Sequence, residues 1–236
     1  MLLYYITGRK NFSGTHEEQV ARTIAHIRAA AQAGVDMIQM REKDLSGAEL
    51  RKLSAAALQA CRQGSSNCKL LINSRTDIAL AAGLDGVHLT SHDVSPDDVR
   101  SVARSFASTG RSSRLVVGVS CHTGEEVFQA GMALADFVVF GPVFGKNQLS
   151  GMPNDPQEHR RLEALASVCP DSFIPVLALG GVTLESASAC MEAGAAGVAG
   201  IRLFQFDDAE DPDLLLQKMR RRVKGLRNCG APPATR

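Results

Sequence analysis

The chain of 236 residues is 44% hydrophobic, long enough for one large or two small domains with a sizeable buried core. Its 26 Lys and Arg against 25 Asp and Glu leave no positive excess to draw polyanions over the whole surface, which argues against general nucleic-acid binding. No apolar run approaches the ~20 residues of a membrane span, and the cysteines show neither a C-x-x-C pair nor a metal-ligand spacing, as expected of thiols in a reducing, cytoplasmic compartment.

The opening MLLYYITGRKNF has a short apolar run with no basic segment before it and no small-residue cleavage pattern, and it reads as a first strand. EEQVARTIAHIRAAAQ follows with helical spacing, then MIQMR as a second strand. In the next helix, GAELRKLSAAALQACR, Ser46 and Glu49 stand at capping-box spacing. The strand LLI, the brief helix RTDIALAA and the strand GVHL come in quick succession. DDVRSVARSF, LVVGV, GEEVFQAGMAL and FVVF continue the alternation. From Gly145 the stretch GKNQLSGMPNDPQ interrupts it with a loop long enough to act as an active-site lid. EHRRLEALASV, PVLAL, LESASACMEA with Thr183 as its N-cap, GVAGI and DLLLQKMRRRVKGL complete the series. Gly34, Gly83 and Gly194, in recurring A-G phrases, fall just after helices, where a left-handed cap is wanted.

A helix in every crossover predicts a parallel sheet. About eight such units match the ~250 residues of a closed (β/α)₈ TIM barrel, an α/β fold. The barrel is expected over residues 1–227, with a disordered tail at 228–236. An open doubly wound sheet is the alternative, because counting units does not fix closure.

Barrel catalytic groups gather at the C-terminal ends of strands, and that rule selects a short set. Arg41 and Lys43 alternate with Met40 and Glu42, so both can face one way and offer paired cations to a phosphate or diphosphate. The bland alternative is an exposed ion pair with Glu42 or Asp44. Gly180 and Gly181, before Thr183, offer bare backbone N–H groups to a phosphate, or simply make a tight turn. Asp93 is the natural hard-cation ligand, since Ser95 already serves as N-cap of the following helix. His122 is either a structural group or a general acid–base, whereas His88, inside GVHL, is expected to pack or to bond backbone. A Cys121–His122 nucleophile is disfavoured because strand neighbours point to opposite faces.

The segments IQMREK, LLINSRTDIALAAGLDGVHLTSHD, VVGVSCHT, DFVVFGPVF and PVLALGGVTLESASACMEAGAAGVAGI together resemble, in order and spacing, the thiamine phosphate synthase family and its TenI-type thiazole tautomerase relatives. The resemblance implies a barrel that binds a phosphorylated thiazole and, in the synthase, a hydroxymethylpyrimidine diphosphate with Mg²⁺. By position it assigns Gln39, Arg41 and Lys43 to the pyrimidine diphosphate, Asn73 to its phosphates and Asp93 to Mg²⁺. Ser120 would lie near the reacting methylene and Gly181 would meet the thiazole phosphate.

Three positions depart from the family pattern. Ser74 replaces a carboxylate that pairs with Asn73, so the metal site is incomplete. Leu149 falls where the family's loop carries Lys, and Lys146 is the nearby substitute. Arg202 stands in place of a phosphate-binding Ser and either adds a cation or fills the pocket. The leading expectation is a synthase, a transferase that releases pyrophosphate. The alternatives are a tautomerase that uses His122, and a non-catalytic paralogue that senses or carries a phosphorylated thiamine precursor. Small-molecule partners, no nucleic acid, no membrane and room for a homo-oligomer complete the expectation.

Overall fold

Strands β2 (Met37–Met40), β4 (Gly86–Leu89), β6 (Phe137–Phe140) and β8 (Gly197–Gly200) bury every one of their residues, so both faces of the sheet require cover. Helices supply it on the outside, and closure of the sheet supplies it within. The remaining strands are β1 (Leu2–Ile6), β3 (Lys69–Asn73), β5 (Val116–Cys121) and β7 (Val176–Leu179). Helices α1 (His16–Ala33), α2 (Gly47–Gly64), α3 (Thr76–Ala82), α4 (Pro96–Ala107), α5 (Gly124–Met132), α6 (Pro156–Val168), α7 (Ala187–Glu192) and α8 (Pro212–Cys229) follow the strands in turn. This computed structural model describes residues 1–107, 114–145, 156–207 and 211–230, apart from the side chains of 107 and 156–160.

All eight strands pair in parallel in chain order, and β8 returns to β1 through pairs such as Leu2 with Gly197 and Tyr5 with Gly200. The closed (β/α)₈ barrel is thus observed, not the open sheet. One apolar cluster fills the barrel interior: Tyr4, Ile6, Met37, Leu71, Phe137, Val139, Leu177 and Ala199. Their neighbours on the opposite strand face, Leu3, Ile38, Ile72, Val87, Val117 and Val138 among them, pack under the helices. Tyr4 and Phe137 meet edge to face at 5.3 Å.

The strand starts share a device that the A-G phrases only hinted at. Asp36, Asp85 and Asp136 each stand just before a strand and accept a 2.7 Å bond from the backbone N–H of Leu3, Leu70 and Val117 on the preceding strand or at its start. Arg227, Arg62 and Arg100, from α8, α2 and α4, pair with the three carboxylates in that order. Gly34, Gly83 and Gly194 take the left-handed conformation expected of them, and Leu134 occupies the same kind of position with φ of 67°.

Capping boxes close Thr15 with Glu18 and Ser46 with Glu49, and Ser95 with Asp98 bond reciprocally before α4. Two boundaries differ from expectation. Thr183 caps a turn with Ser186, and α7 starts only at Ala187, because the first three residues close on the Thr183 hydroxyl without continuing as helix. Helix α8 runs beyond 227 to Cys229, whose thiol donates to the Gly225 carbonyl within the helix. Residues 231–236 of the expected tail, and 146–155 of the expected lid, lie outside the described residues.

Candidate active site at the C-terminal mouth of the barrel

Strand alternation carries the interior layer upward into polar side chains. Above Met37 on β2 stands Gln39, 1% exposed, whose Nε2 donates to the Tyr4 hydroxyl at 3.0 Å. Asn73 stands above Leu71 on β3 and is paired in register with His88 on β4. His88 reaches Ser120 on β5, with Nε2 2.9 Å from Oγ, and its ring packs against Tyr4 and Phe137. Of the two roles expected of His88, packing is observed, and its hydrogen bond goes to a side chain, not to backbone, because the inward face makes Ser120 available. Gly118 leaves the space, since a Cβ there would lie 2.3 Å from Phe137 and 2.8 Å from His88 Nδ1. Burial first, then the Arg41 charge, lowers the His88 pKa to about 3 against the opposing pull of Asp93. His88 is therefore neutral near pH 7.

Two cations follow β2, and among the described residues neither has an acidic partner. Arg41 is half-buried and held by its backbone N–H, which donates to Thr7 Oγ1 at 3.0 Å, and Lys43 is exposed. The acids beside them are engaged elsewhere. Glu42 accepts from the Thr7 hydroxyl at 2.7 Å and from the Arg9 backbone N–H at 3.1 Å. Asp44 pairs with Arg9 at 2.5 Å and with Lys10 at 3.3 Å. Among the described residues, neither Arg41 nor Lys43 forms an ion pair, so the bland reading of that segment does not hold. Arg9, 2% exposed, was missed in the sequence because its acidic partners lie more than thirty residues away.

The polar stops after β3 and β4 meet. Asn73 Nδ2 donates to Ser74 Oγ at 2.8 Å, and Ser74 Oγ donates to Asp93 Oδ2 at 2.7 Å. Thr90 adds its backbone N–H at 2.6 Å and its hydroxyl at 2.9 Å to the same oxygen. Partial burial pushes the Asp93 carboxyl up, but Thr90 and Ser74 outweigh it and hold the pKa below the ordinary carboxylate value. Asp93 is ionised, and all of these bonds go to Oδ2. Ser74 adopts a left-handed φ of 61° in making this link. Among the described residues no cluster of three or more His, Cys, Asp or Glu side chains could hold a metal unaided.

At the end of β5, His122 Nδ1 donates to the Gly141 carbonyl at 2.5 Å, which leaves the lone pair of the neutral ring on Nε2. Cys121 is buried, and burial pushes its thiol up to about 12, so it is no thiolate nucleophile. Across the mouth, Gly181 has φ of 65°, and a Cβ there would come within 2.7 Å of the Gly145 carbonyl. Arg202 is exposed in the turn after β8, which the Phe204 N–H closes on the Ile201 carbonyl at 3.1 Å. Gln39, Arg41, Asn73, Asp93 and Ser120 thus share the β2–β5 side, and Gly181 and Arg202 the β7–β8 side. Lys146 lies outside the described residues.

The profile of the thiamine monophosphate synthase family matches residues 3–204. The thiamine-phosphate synthase of Chlorobium phaeovibrioides is 37% identical over 187 residues, covering 79% of this chain and 82% of that one. That of Chlorobium luteolum is 35% identical over 177 residues, covering 74% and 76%. The solved thiamine phosphate pyrophosphorylase of Pyrococcus furiosus superposes with a TM-score of 0.71 at 25% identity, covering 95% of this chain and 96% of its own. The chain belongs to the thiamine monophosphate synthase family and is a thiamine phosphate synthase-like enzyme.

Proposed function

We propose that the protein is a cytoplasmic transferase that joins hydroxymethylpyrimidine diphosphate to thiazole phosphate and releases pyrophosphate. One observation carries this reading: among the described residues Arg41 and Lys43 are left without acidic partners beside Asn73 and an ionised Asp93, an arrangement suited to a diphosphate. In the reaction the bond from the pyrimidine methylene to the diphosphate oxygen breaks, and its electron pair leaves on pyrophosphate. The lone pair of the thiazole nitrogen then forms the new carbon–nitrogen bond, with no proton to be moved.

Arg41, Lys43 and Asn73 bind the diphosphate and oppose the charge that grows on it. Gln39, fixed by Tyr4, and Ser120, fixed by neutral His88, line the floor where the pyrimidine methylene sits. Gly181 and Arg202 take the thiazole phosphate on the other side of the mouth, so the two substrates approach each other across it. One ionised carboxylate fits Mg²⁺, which is commonly held by one or two carboxylates with water and substrate phosphate oxygens completing the shell. Asp93 would hold the ion, with Ser74 and Asn73 beside it, and the ion would neutralise leaving-group charge when bound.

The test mixes purified protein with both substrates and Mg²⁺ and follows thiamine phosphate and pyrophosphate by chromatography. Steady formation of both supports the transferase. Folded protein that binds thiazole phosphate yet yields neither product overturns it. A second reading, a thiazole tautomerase, is favoured by the lone pair on His122 Nε2. It requires isomerisation of the thiazole without pyrimidine and its loss in His122→Ala, whereas the transferase keeps most of its rate in that variant.

A further inference from the structure

The segment Ile201–Asp207, which carries Arg202, meets α1 through the imidazole of His26 and, at its far end, through the Arg22–Asp207 ion pair. His26 is 1% exposed, its Nδ1 lies 2.8 Å from the Arg22 carbonyl oxygen and its Nε2 lies 3.2 Å from the Phe206 backbone nitrogen. A carbonyl only accepts and an amide N–H only donates. Both ring nitrogens are therefore specified: Nδ1 carries the hydrogen and Nε2 must be bare. The ring is packed against Phe12 at 4.6 Å and stacked on Phe206 at 6.4 Å, with the Arg222 guanidinium 5.5 Å from the Phe206 ring centre.

Among the described residues, the charged groups facing this site are Arg22 from α1, Asp207 from the segment itself and Arg222 from α8. Arg22 and Asp207 pair at 2.7 Å, so this carboxylate is already engaged. Burial holds the imidazole below its ordinary pKa, with the Arg22 carbonyl as the main opposing influence. No part of the proposed transfer reaction uses His26.

We propose that His26 is a positioning residue for phosphate binding: its neutral ring holds Phe206, and protonation sets N–H against N–H and releases the segment that carries Arg202. The proposal rests on the reading that Arg202 and Gly181 meet a phosphate. Acidification then weakens the affinity of the mouth for tetrahedral dianions, whereas a variant whose residue 26 accepts and donates without titrating does not respond.

The experiment compares wild type with His26→Gln, whose amide can accept from Phe206 and donate to Arg22. Hydrogen exchange of the peptide spanning residues 200–206, corrected for intrinsic rates, is followed between about pH 8 and pH 5, the range in which histidine titrates. Sulfate binding is measured in parallel by calorimetry, because the charge of sulfate stays constant over that range. Wild type is expected to lose protection and to bind sulfate roughly fivefold to tenfold more weakly at the acid end, the scale of one lost hydrogen bond. His26→Gln should stay level in both. An equal pH response in the two proteins overturns the latch, and release without weaker sulfate binding overturns its link to Arg202. Should His26→Gln fold poorly, the ring titration of His26 by NMR in wild type must coincide with loss of Phe206 amide protection; separate midpoints overturn the proposal. If sulfate binds at about pH 8 and Arg202→Ala leaves that affinity unchanged, the phosphate reading fails on its own account.

Discussion

Ser74 is the residue where this protein parts from the two-carboxylate pattern, and its geometry explains how the loss is accommodated. Its hydroxyl donates to Asp93 and takes up part of that carboxylate's hydrogen-bonding capacity, which a second carboxylate could not do without a metal between them. The left-handed φ of 61° at Ser74 is one that Asp tolerates well. Ser74→Asp is expected to lower the Mg²⁺ concentration for half-maximal binding roughly tenfold, about 1.4 kcal/mol. The same variant should melt at a lower temperature than wild type in EDTA, where the two carboxylates repel; equal melting with and without Mg²⁺ would count against a shared site. Arg41→Ala removes a cation without breaking a packed ion pair, so kcat/KM should fall about 10² to 10³-fold while urea unfolding is unchanged. Much of this was legible in the sequence, because alternation along strand ends picks out Gln39, Arg41, Asn73 and Ser120. What was not legible is competition: Glu42 and Asp44 stand beside the cations in the chain, and only the folded protein brings Arg9 to claim them.

Elements are joined at the bottom of the barrel by the aspartates before β2, β4 and β6. Each ties the strand before it by one short backbone bond and a helix beyond it by an arginine. Asp85→Asn should cost about 1.5 to 3 kcal/mol, the range for a hydrogen bond to a charged group, read from denaturant unfolding. Leu134 shows the complementary case. It is 54% exposed and left-handed where the equivalent turns use glycine, so its side chain contributes little packing to offset the backbone strain. Leu134→Gly should raise stability by up to about 1 kcal/mol, the left-handed strain relieved less the added freedom of the unfolded chain; a lower melting temperature would refute this. The glycines at 34, 83 and 194 could be read directly because a left-handed cap is a local requirement. The aspartate ties could not, because each needs a strand and a helix from elsewhere. Thr183 failed as a helix cap for a related reason: its hydroxyl satisfies Ser186, and tertiary packing decides whether the turn continues.

At the scale of the whole molecule, counting strand and helix units gave the number eight, but closure depends on register, which pairs Leu2 with Gly197 across nearly the entire chain. Buried His88 makes the closed barrel sensitive to acid. Its folded pKa of about 3 lies below the ordinary histidine value of 6.5, so the stability it permits is complete above pH 6.5 and declines as pH falls toward 3. Unfolding free energy should drop over that window by up to about 1.4 kcal/mol per pH unit for each such histidine. His88→Asn should flatten the slope measured by urea titrations at several pH values. The clasp of Arg227 on Asp36, the Gly34 carbonyl and the Met1 carbonyl has a further consequence, in time. A ribosome releases β1 well before α8, so that strand must wait, one edge unpaired, until residues near 197 to 227 have emerged. The interval between those events is when a nascent chain of this protein is most exposed to pairing with its neighbours, and the arrival of a single arginine in α8 brings it to an end.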